Sequence, residues 1–465
     1  MKNKFNIILF IIYLVITVLA MFHHEIWRDE AQAWCLVRDL SFTETFNMAR
    51  VEGHPFLWYL LLMPFAKLGL PVLSMQIVSL IFVSIAILFL LFKSPFNKLE
   101  KVLICFSAGM VYYLPIVARN YSLIPIFLFL TAFLYSKRIE HPYLYILSII
   151  MLSQTHIYML GICGGLFLLF VFESLKDKLK NNIVPIMLLS TNFLFLFFCF
   201  YNAQSENYAL ATDVNSILPL KSVVLLISQV LSLQIMNLIP FLQKYFNLVS
   251  IMCFLPFIGI IAYKFYLINK KVFIILLSAI GFMLYVFTHL YFNGILYQKS
   301  FLLFLVLIFC YWLVKENAEV KSKALVISFN VLFLISLITS PIVLCEEVKY
   351  NFSGGKQIAE YIKENLNEEE IFIAYGNPYV YSPISAYLPN KKFYSIVSEN
   401  YISHYSFETE KHYSNVEYPE NAKYYIIHDE VKNLEEKGFK VLFKSSERNL
   451  SSRTQEEIFS ICSLE

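Results

Sequence analysis

The chain has 465 residues, of which 58% are hydrophobic, 17% aromatic and only 15% charged, with a formal net charge of +3. Soluble domains carry about 25% charged residues, so this composition excludes an ordinary soluble protein and points to an integral membrane protein. The small net charge gives no reason to invoke nucleic acid, and the eight cysteines, without CxxC or CxxH spacing, make neither a metal knuckle nor a disulfide framework.

The first element is the apolar run at residues 5–22, preceded by Lys2 and Lys4. No small-x-small cleavage site follows, so we read an uncleaved first span with a cytoplasmic N-terminus. Further apolar runs lie near 72–92, 102–118, 121–136, 143–157, 158–172, 183–201, 246–267, 272–291, 300–314 and 323–344. They approach the roughly 17–25 residues that a spanning helix needs, and alternating strands of a barrel are absent from the sequence pattern. Runs near 54–69 and 219–241 are ambiguous, and loop charge arbitrates. The basic loops at 93–101, 136–142, 173–182, 268–271 and 314–323 all face the cytoplasm if neither ambiguous run crosses, which gives eleven spans. If both cross, thirteen result; we prefer eleven, and either count puts the C-terminus outside. On that topology Asp29, Glu30, His54, Arg119, His156, His289 and Lys299 fall at outer helix ends or in outer loops, where they can converge on one cavity. The alternative is ordinary decoration of helix ends.

The loop after the first span reads HEIWRDEAQAW (24–34). On a helix starting near residue 28, Trp27, Ala31 and Trp34 share a stripe that suits a helix lying at the headgroup level, in an outer interfacial segment over 23–53. Asp29 and Glu30 then supply a base for an attacking hydroxyl and a partner that orients substrate, with Arg28 beside them. Acidic residues also favour helix N-termini for purely structural reasons. In EGHPFLWYLLL (52–62), Pro55 suits the first turn of a helix and His54 stands at its mouth. In LPIVARNYSL (114–123), Arg119 interrupts two apolar runs. Its planar charged fork matches phosphate, although snorkelling to headgroups would also place it there. His156 in SQTHIYML and Lys299 in ILYQKSFLLF punctuate apolar runs in the same way, and Lys299 offers a second charge to a phosphate.

After Cys345 the chain becomes rich in Glu, Lys, Asn and Tyr. Ile358, Tyr361, Ile362 and Leu366 share one face of an amphipathic helix over 356–366. Strands are expected at 371–376, 392–397, 422–430 and 439–445, with a short helix at 382–389. The fold class expected is therefore an all-α polytopic membrane domain over 1–345, followed by a small extracytoplasmic α/β domain over 346–465. The latter has no glycine-rich phosphate loop.

The order of these motifs resembles a known family. An acidic pair after the first span (WRDEAQAW), then EGHPFLWYLLL, then ARNYSL between apolar runs is similar to the GT-C superfamily of polyprenyl-phosphate-sugar-dependent glycosyltransferases. The likeness is to glycosyltransferase family 39, the protein O-mannosyltransferase and aminoarabinose transferase group. It covers residues 1–175 and thins from 176 to 345, where Gln298-Lys299-Ser300 stands in place of the group's Arg-Tyr pair. The resemblance implies a GT-C-like helical bundle in the cell membrane. It implies a polyprenyl-phosphate-linked sugar donor and a glycan, lipid or protein acceptor, joined at the outer face. By motif, Asp29 is the base, Glu30 binds or orients the acceptor, and Arg119 holds the lipid phosphate with Tyr121 beside it. Arg28, His54, His156 and Lys299 complete the candidate substrate-binding set. No cofactor is required; hard oxygen ligands at Asp29 and Glu30 leave room for Mg²⁺ or Mn²⁺. Other enzymes on lipid-linked glycans, such as a polymerase or ligase, and a transporter or flippase of lipid-linked sugars are the competing classes.

Overall fold

The computed structural model describes residues 2–177, 179–203, 255–289, 300–317, 322–367, 370–375, 381–391, 393–395, 400–405, 422–429, 431, 433–446 and 457–464. The chain is mostly helical, with a small sheet near its C-terminal end. It opens with α1 (Lys2–Met21), α2 (Arg28–Asp39), α3 (Phe42–Val51), α4 (Leu57–Lys67) and α5 (Leu73–Lys93). Among the described residues, five helices are long and apolar enough to cross a membrane: Asn3–Met21, Leu73–Lys93, Ile157–Lys176, Asn181–Tyr201 and Lys323–Lys349.

That is fewer than the eleven expected: at three of the runs local chemistry gives the reason, and the runs at 246–267 and 272–291 extend beyond the described residues. The run at 102–118 is not one helix. It is helical to Cys105, widens into a π-turn at Gly109–Tyr113, and reaches a tighter 3₁₀ turn at Asn120–Leu123. Gly109 is a weak helix former and Pro115 has no N–H to donate, so the ladder breaks between them. The helices Ile124–Tyr135 and Pro142–Ser153 each have 12 residues. They cover about 18 Å, against the roughly 30 Å of a hydrocarbon core. At 11 residues α4, in the ambiguous run at 54–69, is shorter still. The run at 219–241 lies outside the described residues.

Four of the five basic loops touch one another at one end of the bundle. Arg138 pairs with Glu173 at 2.7 Å, Lys271 with the same carboxylate at 2.6 Å, and Ser136 donates to Glu316 at 3.1 Å. The fifth loop joins through Glu100, which accepts from Lys315 at 2.5 Å and Tyr311 at 2.6 Å. The start of α1 belongs to this end as well: Asn6 donates to the carbonyl of Leu91, and Lys98 lies over Phe5. Since α1 has 20 residues, its other end, and the loop bearing Asp29, stand about 30 Å away. Inside the bundle, Gly161 and Gly165 let the helices Leu160–Asp177 and Lys270–His289 approach closely. A Cβ at Gly161 would sit 2.5 Å from Phe282 Cβ and 2.8 Å from the Ser278 carbonyl, the small-residue contact that membrane helices favour.

The sheet has the order β3-β2-β1-β4-β6-β5, with β1 Phe372–Tyr375, β2 Phe393–Ser395, β3 Asn400–Ile402, β4 Tyr424–His428, β5 Phe439–Lys444 and β6 Phe459–Leu464. The parallel pairs β1–β2 and β1–β4 are followed by antiparallel β4–β6 and β6–β5. The helix Gly355–Asn365 lays Ile358, Ala359 and Ile362 on Phe372, Ile426 and Ile461. The strands β1, β2, β4 and β5 fall where the alternation expected them; β3 and β6 did not register in it.

Candidate functional site

The site is assembled by the loop between α1 and α2, the turn between α3 and α4, and the irregular backbone around Arg119. Helix α2 starts at Arg28 because Glu30, at its third position, reaches back to the Trp27 N–H at 3.3 Å, half of a capping box. Helix α3 ends at Gly53, whose φ of 73° is the left-handed cap that glycine adopts without penalty. Gly53 N–H donates to Arg50 and His54 N–H to Ala49, so His54 is turned back toward the bundle. The Arg119 turn is pinned from one side by Ser79 and Ser122, which both donate to the Leu114 carbonyl at 2.9 and 2.7 Å. From the other side, Glu30 accepts from the Ala118 N–H at 2.6 Å.

Most of the candidate residues come together. Arg119 forms an ion pair with Asp29 through Nη1, and Arg28 Nε lies 3.5 Å from the other Asp29 oxygen. The Arg119 guanidinium sits 5.4 Å from the Tyr121 ring and 5.9 Å from the Trp27 ring. Tyr121 stacks on His156 at 4.7 Å, and His156 stacks on Tyr158 at 4.5 Å. His54 stands 5.6 Å from His156, ring to ring. His156 Nδ1 accepts from the Tyr158 N–H at 3.2 Å, which leaves the proton on Nε2. Burial works against the charge of Arg119, but Asp29 outweighs it and holds the guanidinium more firmly protonated than usual. Lys299 lies outside the described residues, and His289 closes the helix Lys270–His289.

Glu30 looks the other way. It is buried, and besides Ala118 it faces His24 Nε2 at 2.9 Å, while His24 Nδ1 faces Glu347 at 2.9 Å. The second Glu347 oxygen accepts from Tyr112. Both ring nitrogens of His24 meet carboxyl groups, an arrangement that favours the imidazolium, which donates to both. Burial disfavours that charge, yet Glu30 and Glu347 override it and push His24 up to about 10. Asp29 and Glu30 therefore engage separate partners and do not form a shared ligand pair in this structure. Among the described residues no group of three or more His, Cys, Asp or Glu is placed to hold a metal ion. Nor do the tryptophans of α2 lie on an apolar outer surface. Trp34 packs with Leu36, Val37 and Trp58, and Trp27 with Phe352, all inside the protein.

A second buried set flanks Asp29 that sequence reasoning passed over. Glu52 accepts from Tyr59 at 2.6 Å and from Gln32 at 3.0 Å. Burial pushes its carboxyl up, and those two hydrogen bonds offset only part of the shift. Glu52 and Gln32 both lie in the stretches that drew attention, EGHP and DEAQAW, but neither has a spacing that marks it. No family model matches the chain, and searches of curated proteins and of solved structures found no match either.

Proposed function

We propose that the protein is a membrane glycosyltransferase that moves a sugar from a polyprenyl-phosphate donor to an acceptor hydroxyl, at the bundle end opposite the basic loops. That end is the outer face under the positive-inside rule. The observation that carries the reading is the Asp29–Arg119 ion pair among buried aromatic side chains. It joins the two residues that the family resemblance assigns to base and phosphate, although they are ninety positions apart.

The pairing also suggests the order of events. A carboxylate clamped by a guanidinium is a poor base. A lipid phosphate arriving at Arg119 competes for the same fork and releases Asp29. Asp29 then takes the acceptor proton as the acceptor oxygen attacks the anomeric carbon. The bond from that carbon to the phosphate oxygen breaks, with inversion. The leaving phosphate is already an anion, so it needs charge stabilisation from Arg119 more than a proton. Aligning donor and acceptor supplies much of the rate. In this scheme Glu30 is a positioning residue, because it fixes Ala118 and hence Arg119.

The test is sugar transfer by purified protein from labelled polyprenyl-phosphate-sugars into host membrane extract, for wild type and Asp29→Asn. Transfer by wild type and a loss of about a hundredfold or more in the variant, the scale of a lost general base, is the expected result. Equal turnover in both removes Asp29 as the base. Absence of both transfer and polyprenyl-phosphate binding in the wild type overturns the class.

A further inference from the structure

The C-terminal domain is stitched to α2 and the loop before it. Ile26 N–H donates to Tyr387 Oη at 2.7 Å, and Arg28 N–H to Glu457 at 3.1 Å. Arg38 donates to the Ser385 carbonyl at 2.7 Å, and Ser403 donates to Asp39. Those bonds are part-buried. The Gln32 amide, itself buried, pairs at two points with the backbone of Tyr405. Gln32 Nε2 donates to the Tyr405 carbonyl at 2.9 Å, and the Tyr405 N–H donates to Gln32 Oε1 at 3.2 Å. The same Nε2 donates to Glu52. A two-point amide pairing fixes direction as well as distance, as a strand ladder does. It holds a residue of the soluble domain at a set angle over the membrane part.

That angle carries the Tyr405 ring inward. The ring is buried, and its hydroxyl lies within electrostatic reach of Asp29, Glu52, Arg28 and Arg119. Burial, then the negative charges of Asp29 and Glu52, keep the phenol protonated above its ordinary range, so it is a hydrogen-bond donor at working pH.

We infer that the soluble domain completes the active site: Tyr405, set in place by Gln32, is a positioning residue that orients Asp29 and the acceptor hydroxyl bound there. This rests on the transferase reading, but the placement of Tyr405 does not. Two measurements separate them. The first places 3-fluorotyrosine at position 405 and compares the ¹⁹F resonance in the full-length protein with and without Asp29→Asn. Asp429→Asn, whose carboxylate accepts from Lys444 on the sheet, serves as control. A resonance that moves by more than its linewidth with Asp29→Asn and not with the control supports the placement; an unmoved resonance overturns it, whatever the protein's activity.

The second measures turnover and polyprenyl-phosphate affinity for Tyr405→Phe, which keeps the ring and the backbone pairing. The expected result is turnover lower by about tenfold or more, the order for losing a hydrogen bond to a charged group, with polyprenyl-phosphate affinity unchanged. Gln32→Ala combined with Tyr405→Phe should be no worse than the weaker single variant, since both act through one position. Wild-type turnover in Tyr405→Phe, or an equal loss of phosphate affinity, overturns the positioning role. If wild type transfers no sugar, that role falls with the transferase reading, and the resonance alone decides the composite site.

Discussion

At the scale of single residues, two adjacent carboxylates do different work. Asp29 keeps a partner that a substrate phosphate can take away, whereas Glu30 is sealed among His24, the Trp27 N–H and the Ala118 N–H. Removing one member of a buried pair costs about 3–5 kcal/mol, so Glu30→Ala should lower stability by that amount. Thermal unfolding in detergent checks it, and a loss below about 1 kcal/mol, the worth of an exposed pair, would contradict the buried network. His24 adds a pH dependence. Its ordinary value is 6.5 and its value in the fold about 10. Its contribution to stability is complete below 6.5, declines as the unfolded chain loses the proton that the folded chain keeps, and is gone above about 10. Melting temperature should fall across that window in the wild type and fall less steeply in His24→Gln; parallel slopes would refute the imidazolium. Arg119 and His156 were legible as candidates because each interrupts apolar runs, Asp29 because it stands in an acidic pair just past the first span, and His54 because it stands at a helix mouth before Pro55. Glu52, Gln32 and Tyr405 were not, because a buried polar network leaves no periodic trace in one chain.

At the scale of elements, apolar runs located the helices but overstated their length. Run length counts hydrophobicity, whereas helix length depends on an unbroken ladder of N–H donors, and Gly109 and Pro115 interrupt it. Strand β6 escaped for a related reason: it enters the sheet between β4 and β5 from the far end of the chain, and pairing at that range has no local signature. Two glycines make the packing testable. Gly161→Ala pushes a methyl into the backbone of the facing helix. It should force Leu160–Asp177 and Lys270–His289 apart and cost about 1–3 kcal/mol, the usual toll of overpacking. Gly53→Ala should cost about 1–2 kcal/mol for the left-handed backbone alone. Unfolding measurements on both variants check these values, and a neutral result at either would contradict the described contact or turn.

At the scale of the molecule, the basic loops gather at one end of the bundle, and the ion pair and the sheet lie at the other. Impermeant maleimide labelling of intact cells tests that orientation. A cysteine replacing the exposed Lys437 of the C-terminal sheet region should label directly. One replacing the exposed Lys137 of a basic loop should label only after permeabilisation. The reverse pattern would put the site in the cytoplasm. Family resemblance supplied the division of labour between Asp29 and Arg119, and the fold joins them in one ion pair; whether they act as base and phosphate holder is a matter for kinetics. The decisive measurement is therefore turnover and donor KM, determined separately for Asp29→Asn and Arg119→Gln. The account expects Asp29→Asn to lower kcat while leaving donor KM within about twofold, and Arg119→Gln to raise donor KM by about tenfold or more, the scale of a lost charged hydrogen bond. If Asp29→Asn instead raises donor KM and spares kcat, Asp29 holds the donor, and the account of it as the base is wrong.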